Sequence, residues 1–215
     1  MRSPAGAAGG GPRRLDRSQR RVGILGGTFN PPHVAHLVCA QEAHAQLDLD
    51  VVLWIPTNVP PHKEAPEDPG GRVRLALCEA AIAGDARFEV SGIELERAGP
   101  SYTVDTLRLL SDQAPEDELI FIAGGDMARS LPSWRQPEQV LSMATFAVAE
   151  RAGAARHDIA EQLRALADAE VTFFAMPRID VSSSDVRRRV AEGRPIRYLV
   201  PDAVAGEIER QGLYR

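Results

Sequence analysis

The sequence predicts an α/β protein built on a doubly wound, mostly parallel sheet. Two observations carry this expectation. Apolar runs of strand length, among them VGIL, VVLWIP and LIFIA, alternate with longer stretches whose apolar residues recur at helical spacing. The chain also has 215 residues, 44% hydrophobic and 26% charged, enough for one domain with a sizeable core. Sheets of this kind bind ligands beyond the carboxyl ends of their strands.

RVGIL opens the pattern as a short strand, and VAHLVCAQEAHAQL follows as a helix with Val34, Leu37, Val38 and Ala45 near one side. VVLWIP is a buried-type strand and GRVRLALCEAAIAG a helix. FEVSGIELE is strand-like, and TVDTLRLLSDQ is a helix opened by Thr103. ELIFIAGGD reads as a strand ending in glycines, and TFAVAER and VTFFAM as two more strands. SSSDVRRRVAEG and PDAVAGEIERQG close the chain as helices, and no internal repeat is visible.

Residues 1–20 are rich in Gly, Ala and Arg and lack the apolar core of a secretion signal, so a disordered extension is expected there and a single domain over 21–215. A net charge of −5 argues against non-specific nucleic-acid binding. No apolar run approaches the roughly 20 residues of a membrane span. Cys39 and Cys78 lie in apolar helical patterns and read as buried thiols of a reducing, cytoplasmic environment. A homo-oligomer is compatible with all of this.

The stretch GILGGTFNPPHVAH, residues 23–36, points to chemistry. Gly26 and Gly27 permit a tight turn and close backbone approach to a ligand. Pro31 and Pro32 stiffen the entry to a helix and remove donors that would go unpaired there. His33 and His36 stand one helical turn apart, on one face near the positive helix end. Backbone N–H groups, a helix start and two imidazoles suit a phosphate. A Walker loop, GxxxxGK(S/T), and a dinucleotide fingerprint, GxGxxG, are both absent. Zinc would need a third ligand that the neighbourhood lacks, so no metal site is assigned. An ordinary surface histidine pair is the plainer alternative.

A second candidate is VSSSDVRRR, residues 181–189. Serines before an apolar-periodic helix are an N-cap signal. Ser182, Ser183 and Ser184, with free N–H groups, can hold polyphosphate oxygens, and the fork of Arg187 can clamp them. Simple capping beside a solvated Arg face is the alternative.

These motifs carry a resemblance. GGTFNPPHVAH is similar to the GGTF(D/N)PxHxGH signature of the nucleotidyltransferase superfamily, with Ala35 where that signature has Gly, and VSSSDVRRR resembles its ISSTxIR motif. Residues 22–215 further resemble the bacterial nicotinate-nucleotide adenylyltransferase family through PTNVPPHK, GPSYTVDTL, ELIFIAGGDMARSLPSWRQPEQVL, FAVAER and the tail RYLVPDAVAGEIERQGLY; Gly125 replaces the Ala of that family's GAD. The resemblance implies a Rossmann-like nucleotidyltransferase fold. It also implies transfer of the adenylyl group of ATP to nicotinate mononucleotide, with Mg2+ on the polyphosphate. Acceptors such as nicotinamide mononucleotide or pantetheine phosphate, or a non-catalytic nucleotide-binding regulator, are the alternatives.

By the same resemblance, His33 and His36 contact the ATP phosphates and stabilise the pentavalent state, beside a nucleotide-binding loop of Gly26, Gly27, Thr28 and Phe29. Lys63, the one lysine among 25 basic residues, is expected to reach phosphates as a point charge; an ordinary exposed lysine is the alternative. Arg72 is a candidate for the mononucleotide phosphate, or else a solvated helix end. Ser101, Tyr102 and Thr103 precede a helix and can offer N–H groups to the nicotinate carboxylate, or merely cap it. Trp134 can stack on the pyridine ring or bridge two helices. Gly124 and Asp126 close a strand where a carboxylate can bond ribose hydroxyls or cap the next helix. Arg151 is expected to border the adenine.

Overall fold

The computed structural model describes residues 19–60, 67–150 and 156–215. Residues 1–18 of the expected extension lie outside them, as do Lys63 and Arg151. Six strands form one sheet: β1 (Arg21–Gly27), β2 (Val51–Pro56), β3 (Phe88–Val90), β4 (Glu118–Gly124), β5 (Thr145–Glu150) and β6 (Val171–Ala175). Their order is β3-β2-β1-β4-β5-β6, and every pairing is parallel. The order reverses between β1 and β4, so the connections leave in opposite directions and open a crevice at the ends of those two strands.

Eight helices of the described residues cover the sheet: α1 (Val34–Gln46), α2 (Gly71–Ile82), α3 (Thr103–Gln113), α4 (Gly125–Ser130), α5 (Pro137–Met143), α6 (Arg156–Leu166), α7 (Ser183–Ala191) and α8 (Asp202–Gln211). Central strands of a parallel sheet are buried on both faces and so read as continuous apolar runs. Val22, Ile24, Phe121 and Phe146 pack with Val104, Leu107 and Leu163 on one side. Leu25, Val52, Ile120 and Ile122 pack with Ala40 and Ala43 on the other. A third cluster, Leu77, Val186, Val200, Val204 and Ile208, joins α2, α7 and α8.

Several expectations need correction. The strand in FEVSGIELE stops at Val90; Leu95 N–H donates to the Gly92 carbonyl in a turn that buries Ile93 and Glu94. In ELIFIAGGD the strand stops at Gly124, and Gly125 and Asp126 start α4. α1 begins at Val34, so Pro31 and Pro32 precede it and do not occupy its first turn. Its buried face is the small-residue set Ala35, Ala40 and Ala43, while Ala45 is exposed; alanines let the helix lie close to the sheet. Cys39 is only partly buried, whereas burial holds the Cys78 thiol well above its usual pKa. Helices α4 and α5 have six and seven residues, too short for an apolar period to register, and α6 buries only Ile159, Ala160 and Leu163.

Candidate active site

A cleft of about 1200 Å³ lies beyond the ends of β1 and β4, where the chain reversal predicts one. Gly26 and Gly27 line it as the last residues of β1, still paired with β2 and not in the tight turn expected of them, and Thr28 and Phe29 line it just beyond the strand. A Cβ on Gly27 would meet the Phe29 ring at 3.1 Å, so glycine lets the turn close over that ring. Phe29 itself is 2% exposed, stacked on Trp54 at 5.1 Å and edge-on to His36 at 5.0 Å. Its side chain therefore supports the histidine from the core. The Thr28 carbonyl is held by Arg74 Nη1 at 2.8 Å.

His33 is the N-cap residue of α1 and His36 lies in its first turn. Their ring centroids are 3.8 Å apart, and both rings line the cleft. The His33 backbone N–H donates to His36 Nδ1 at 3.2 Å. A neutral His36 with Nδ1 accepting must carry its proton on Nε2, so that atom is a hydrogen-bond donor. His33 Nδ1 is buried and has no partner. Burial pushes the His33 pKa down to about 4. Burial and the neighbouring His33 push that of His36 well below the usual range. Both imidazoles are thus neutral near pH 7.

The serine motif starts α7 as expected, with Ser182 Oγ accepting from the Asp185 N–H at 3.1 Å. Ser183 Oγ donates to the Pro31 carbonyl at 2.8 Å, and Arg187 Nη1 donates to the Asn30 carbonyl at 2.9 Å. Arg187 Nε also pairs with Glu67 at 2.6 Å, and its Nη2 reaches Ser184 Oγ at 3.4 Å. Ser182, Ser183, Ser184 and Arg187 all line the same cleft as the histidines. Two motifs about 150 residues apart in sequence are therefore joined at consecutive carbonyls, with a separation of 152 between Ser183 and Pro31.

The start of α3 also lines the cleft. Tyr102 is the N-cap residue and Thr103 the first helical residue, with no side-chain cap. Ser101 Oγ accepts from the Asn58 N–H at 3.1 Å, and the Ser101 N–H donates to the Val59 carbonyl at 2.9 Å, so this serine ties the loop after β2 to α3. Trp134 packs edge-on against Phe121 and Phe146, with Nε1 donating to Ser130 Oγ, and lines the cleft. It is both an inter-element bridge and an aromatic wall. Gly124 is the N-cap residue of α4, which corrects the capping alternative for Asp126. Asp126 is fully exposed at the cleft, near Arg129 at 3.3 Å.

Arg72 is exposed and does not line the cleft. Two residues later, Arg74 is fully buried and bonds Asp68, the Thr28 carbonyl and the Asn58 carbonyl. The sequence did hold a signal: Arg74 stands three and four residues before Leu77 and Cys78, on the apolar side of α2. Sequence reasoning also missed Glu94, Asn30 and Arg156. Glu94 lines the cleft with Oε1 accepting from Thr106 and Oε2 buried without a partner. Arg156 lies over the Phe173 ring at 4.8 Å. Among the described residues no three His, Cys, Asp or Glu side chains are grouped to hold a metal ion. No described helix is long and apolar enough to cross a membrane.

Comparison with known proteins supplies the context. The model of the cytidylyltransferase-like family matches residues 24–189. A protein of Roseiflexus sp. named "Probable nicotinate-nucleotide adenylyltransferase" is 46% identical over 200 residues, 92% of this chain and 100% of its own length. One of Shouchella clausii with the same name is 42% identical, over 91% of this chain and 97% of its own. Among solved structures, Plasmodium falciparum nicotinic acid mononucleotide adenylyltransferase complexed with NaAD superposes with a TM-score of 0.72 at 18% identity, covering 91% of this chain and 98% of that one. That last likeness is one of fold.

Proposed function

The chain belongs to the cytidylyltransferase-like family and, within it, to the nicotinate-nucleotide adenylyltransferases, and from that premise we propose that it joins ATP and nicotinate mononucleotide to give deamido-NAD and pyrophosphate, in NAD biosynthesis. The observation that carries the reading is the junction at Asn30 and Pro31. There Ser183 and Arg187 meet the loop that leads into His33 and His36.

In this reading a phosphate oxygen of the mononucleotide attacks the α-phosphorus of ATP in line. A new P–O bond forms, the bond to the β-phosphate bridging oxygen breaks, and its electron pair leaves with pyrophosphate. No protein nucleophile is required, so the protein contributes positioning and stabilisation of developing charge. His36 Nε2–H and the His33 ring donate to phosphate oxygens, and Arg187 and the first turn of α7 hold the polyphosphate. Both imidazoles gain affinity for a proton as charge gathers beside them. Lys63 is assigned to the same phosphates from the sequence.

The acceptor occupies the opposite end of the cleft. Its carboxylate meets N–H groups at Tyr102 and Thr103, and its ring lies against Trp134. Gly124 and Asp126 face ribose hydroxyls. Mg2+ bound to the polyphosphate oxygens would neutralise charge on the departing pyrophosphate. We place the reaction in the cytoplasm.

Acceptor profiling tests the proposal. The purified chain with ATP should release pyrophosphate with nicotinate mononucleotide, far faster than with nicotinamide mononucleotide or pantetheine phosphate. His36→Ala should lower turnover at least 100-fold with a smaller change in ATP affinity, because its contact strengthens as charge develops. Preference for an amide acceptor, or ATP binding without pyrophosphate release, would overturn the assignment.

A further inference from the structure

The chain ends against its own phosphate-binding loop. Tyr214, the penultimate residue, donates its hydroxyl to Asn30 Oδ1 at 2.6 Å, across 184 positions of sequence. Asn30 is 3% exposed, and its backbone carbonyl is the one Arg187 grips; the next carbonyl, of Pro31, is the one Ser183 grips. Tyr214 has a backbone φ of 62°, a left-handed conformation that bulky residues avoid unless their surroundings fix it. Helix α8 supplies the fixing: its C-cap Gly212 is left-handed, and Leu213 and Tyr214 pack on the cluster of Leu77, Val186 and Ile208. Burial raises the phenol's pKa, so the hydroxyl keeps its proton and stays a donor through the neutral range.

We propose that Tyr214 is a positioning residue for the nucleoside triphosphate: its bond to Asn30 fixes the two carbonyls that hold Arg187 and Ser183 in register with His33 and His36. The tail acts through Asn30 and touches no substrate. This rests on the assignment of that end of the cleft to nucleotide phosphates, while Tyr102 and Trp134 serve the acceptor. Loss of the hydroxyl therefore weakens one substrate and spares the other, a split that general destabilisation does not produce.

The test is calorimetric titration of the full chain and of Tyr214→Phe with a non-hydrolysable ATP analogue and, separately, with nicotinate mononucleotide. Phe keeps the ring and removes only the hydroxyl. Analogue affinity should fall about five- to tenfold, the effect of one lost hydrogen bond. Affinity for the mononucleotide should stay within twofold. Ile208→Val, in the same cluster but outside the network, should lower the melting temperature and leave both affinities unchanged. Analogue affinity within twofold of the parent, equal losses for both nucleotides, or the same loss in Ile208→Val would each overturn the proposal. Failure of the parent chain to transfer adenylyl groups to the mononucleotide would sink the functional assignment alone, because the analogue titration reads Tyr214 without turnover.

Discussion

Two buried neutral imidazoles make the stability of the free protein depend on pH in a defined window. His33 is 6% exposed, and burial lowers its pKa from 6.5 to about 4. The unfolded chain takes up that proton near pH 6.5, and the folded chain waits until about 4. Between those values the unfolded state holds more protons, so stability rises with pH there and is lost as pH falls. At about 1.4 kcal/mol per pH unit the loss from His33 reaches about 2–3 kcal/mol by roughly pH 4.5. His36 shifts in the same direction. The assay is urea denaturation from pH 7.5 down to 4.5 for the parent and for His33→Gln. Carboxylates common to both cancel in the difference, leaving about 2–3 kcal/mol of extra acid sensitivity in the parent. A saturating ATP analogue should shrink it, because phosphate beside the rings raises their folded-state pKa. Parallel curves for the two proteins would refute the reasoning.

Two further outcomes follow from charged contacts around the same loop. Arg74→Met should destabilise the fold by about 3–5 kcal/mol in urea or thermal denaturation, since it strands Asp68 and the Thr28 and Asn58 carbonyls, whereas Arg72→Ala two positions away should cost under about 0.5 kcal/mol. Glu67→Gln should strengthen ATP binding about threefold at low salt and less at high salt, because the Glu67 carboxylate, 58% exposed, occupies Arg187 and repels phosphate.

The sequence made the frame legible wherever local pattern and tertiary demand coincide. Apolar runs gave β1, β2, β4, β5 and β6, since parallel strands buried on both faces need little else. The histidine spacing and the serine cap were legible because each is local chemistry at an element's end, whereas the turn read at Gly26 and Gly27 is the paired end of β1. What escaped depends on contacts distant in sequence. Arg72 and Arg74 are both arginines near a helix start, and only packing of α2 against the loop decides which one turns inward. Ser101 lines the cleft, but that its N–H and an oxygen lone pair serve the loop at Asn58 and Val59 could not be read locally. Tyr214 carried no signal, because its partner lies 184 residues away. Helices α4 and α5 fell below the length at which periodicity speaks.

A transfer that needs no protein nucleophile places its whole demand on geometry, and a loop between a strand and a helix is by itself a poor way to supply it. Here the loop from Thr28 to His33 and the helix start after it are held from outside at successive points. Arg74 of α2 takes the Thr28 carbonyl; Tyr214 takes the Asn30 side chain; Arg187 and Ser183 of α7 take the Asn30 and Pro31 carbonyls. The Leu199 carbonyl takes the N–H of Val34 at the helix start. The distant clamps supply rigidity to a loop that has no strand pairing of its own. The conformational entropy of ordering the loop is then met during folding and not at each turnover, which is the physical content of preorganisation. His33 and His36 are local to one motif, but their alignment draws on contacts from α2, α7 and the residues after α8.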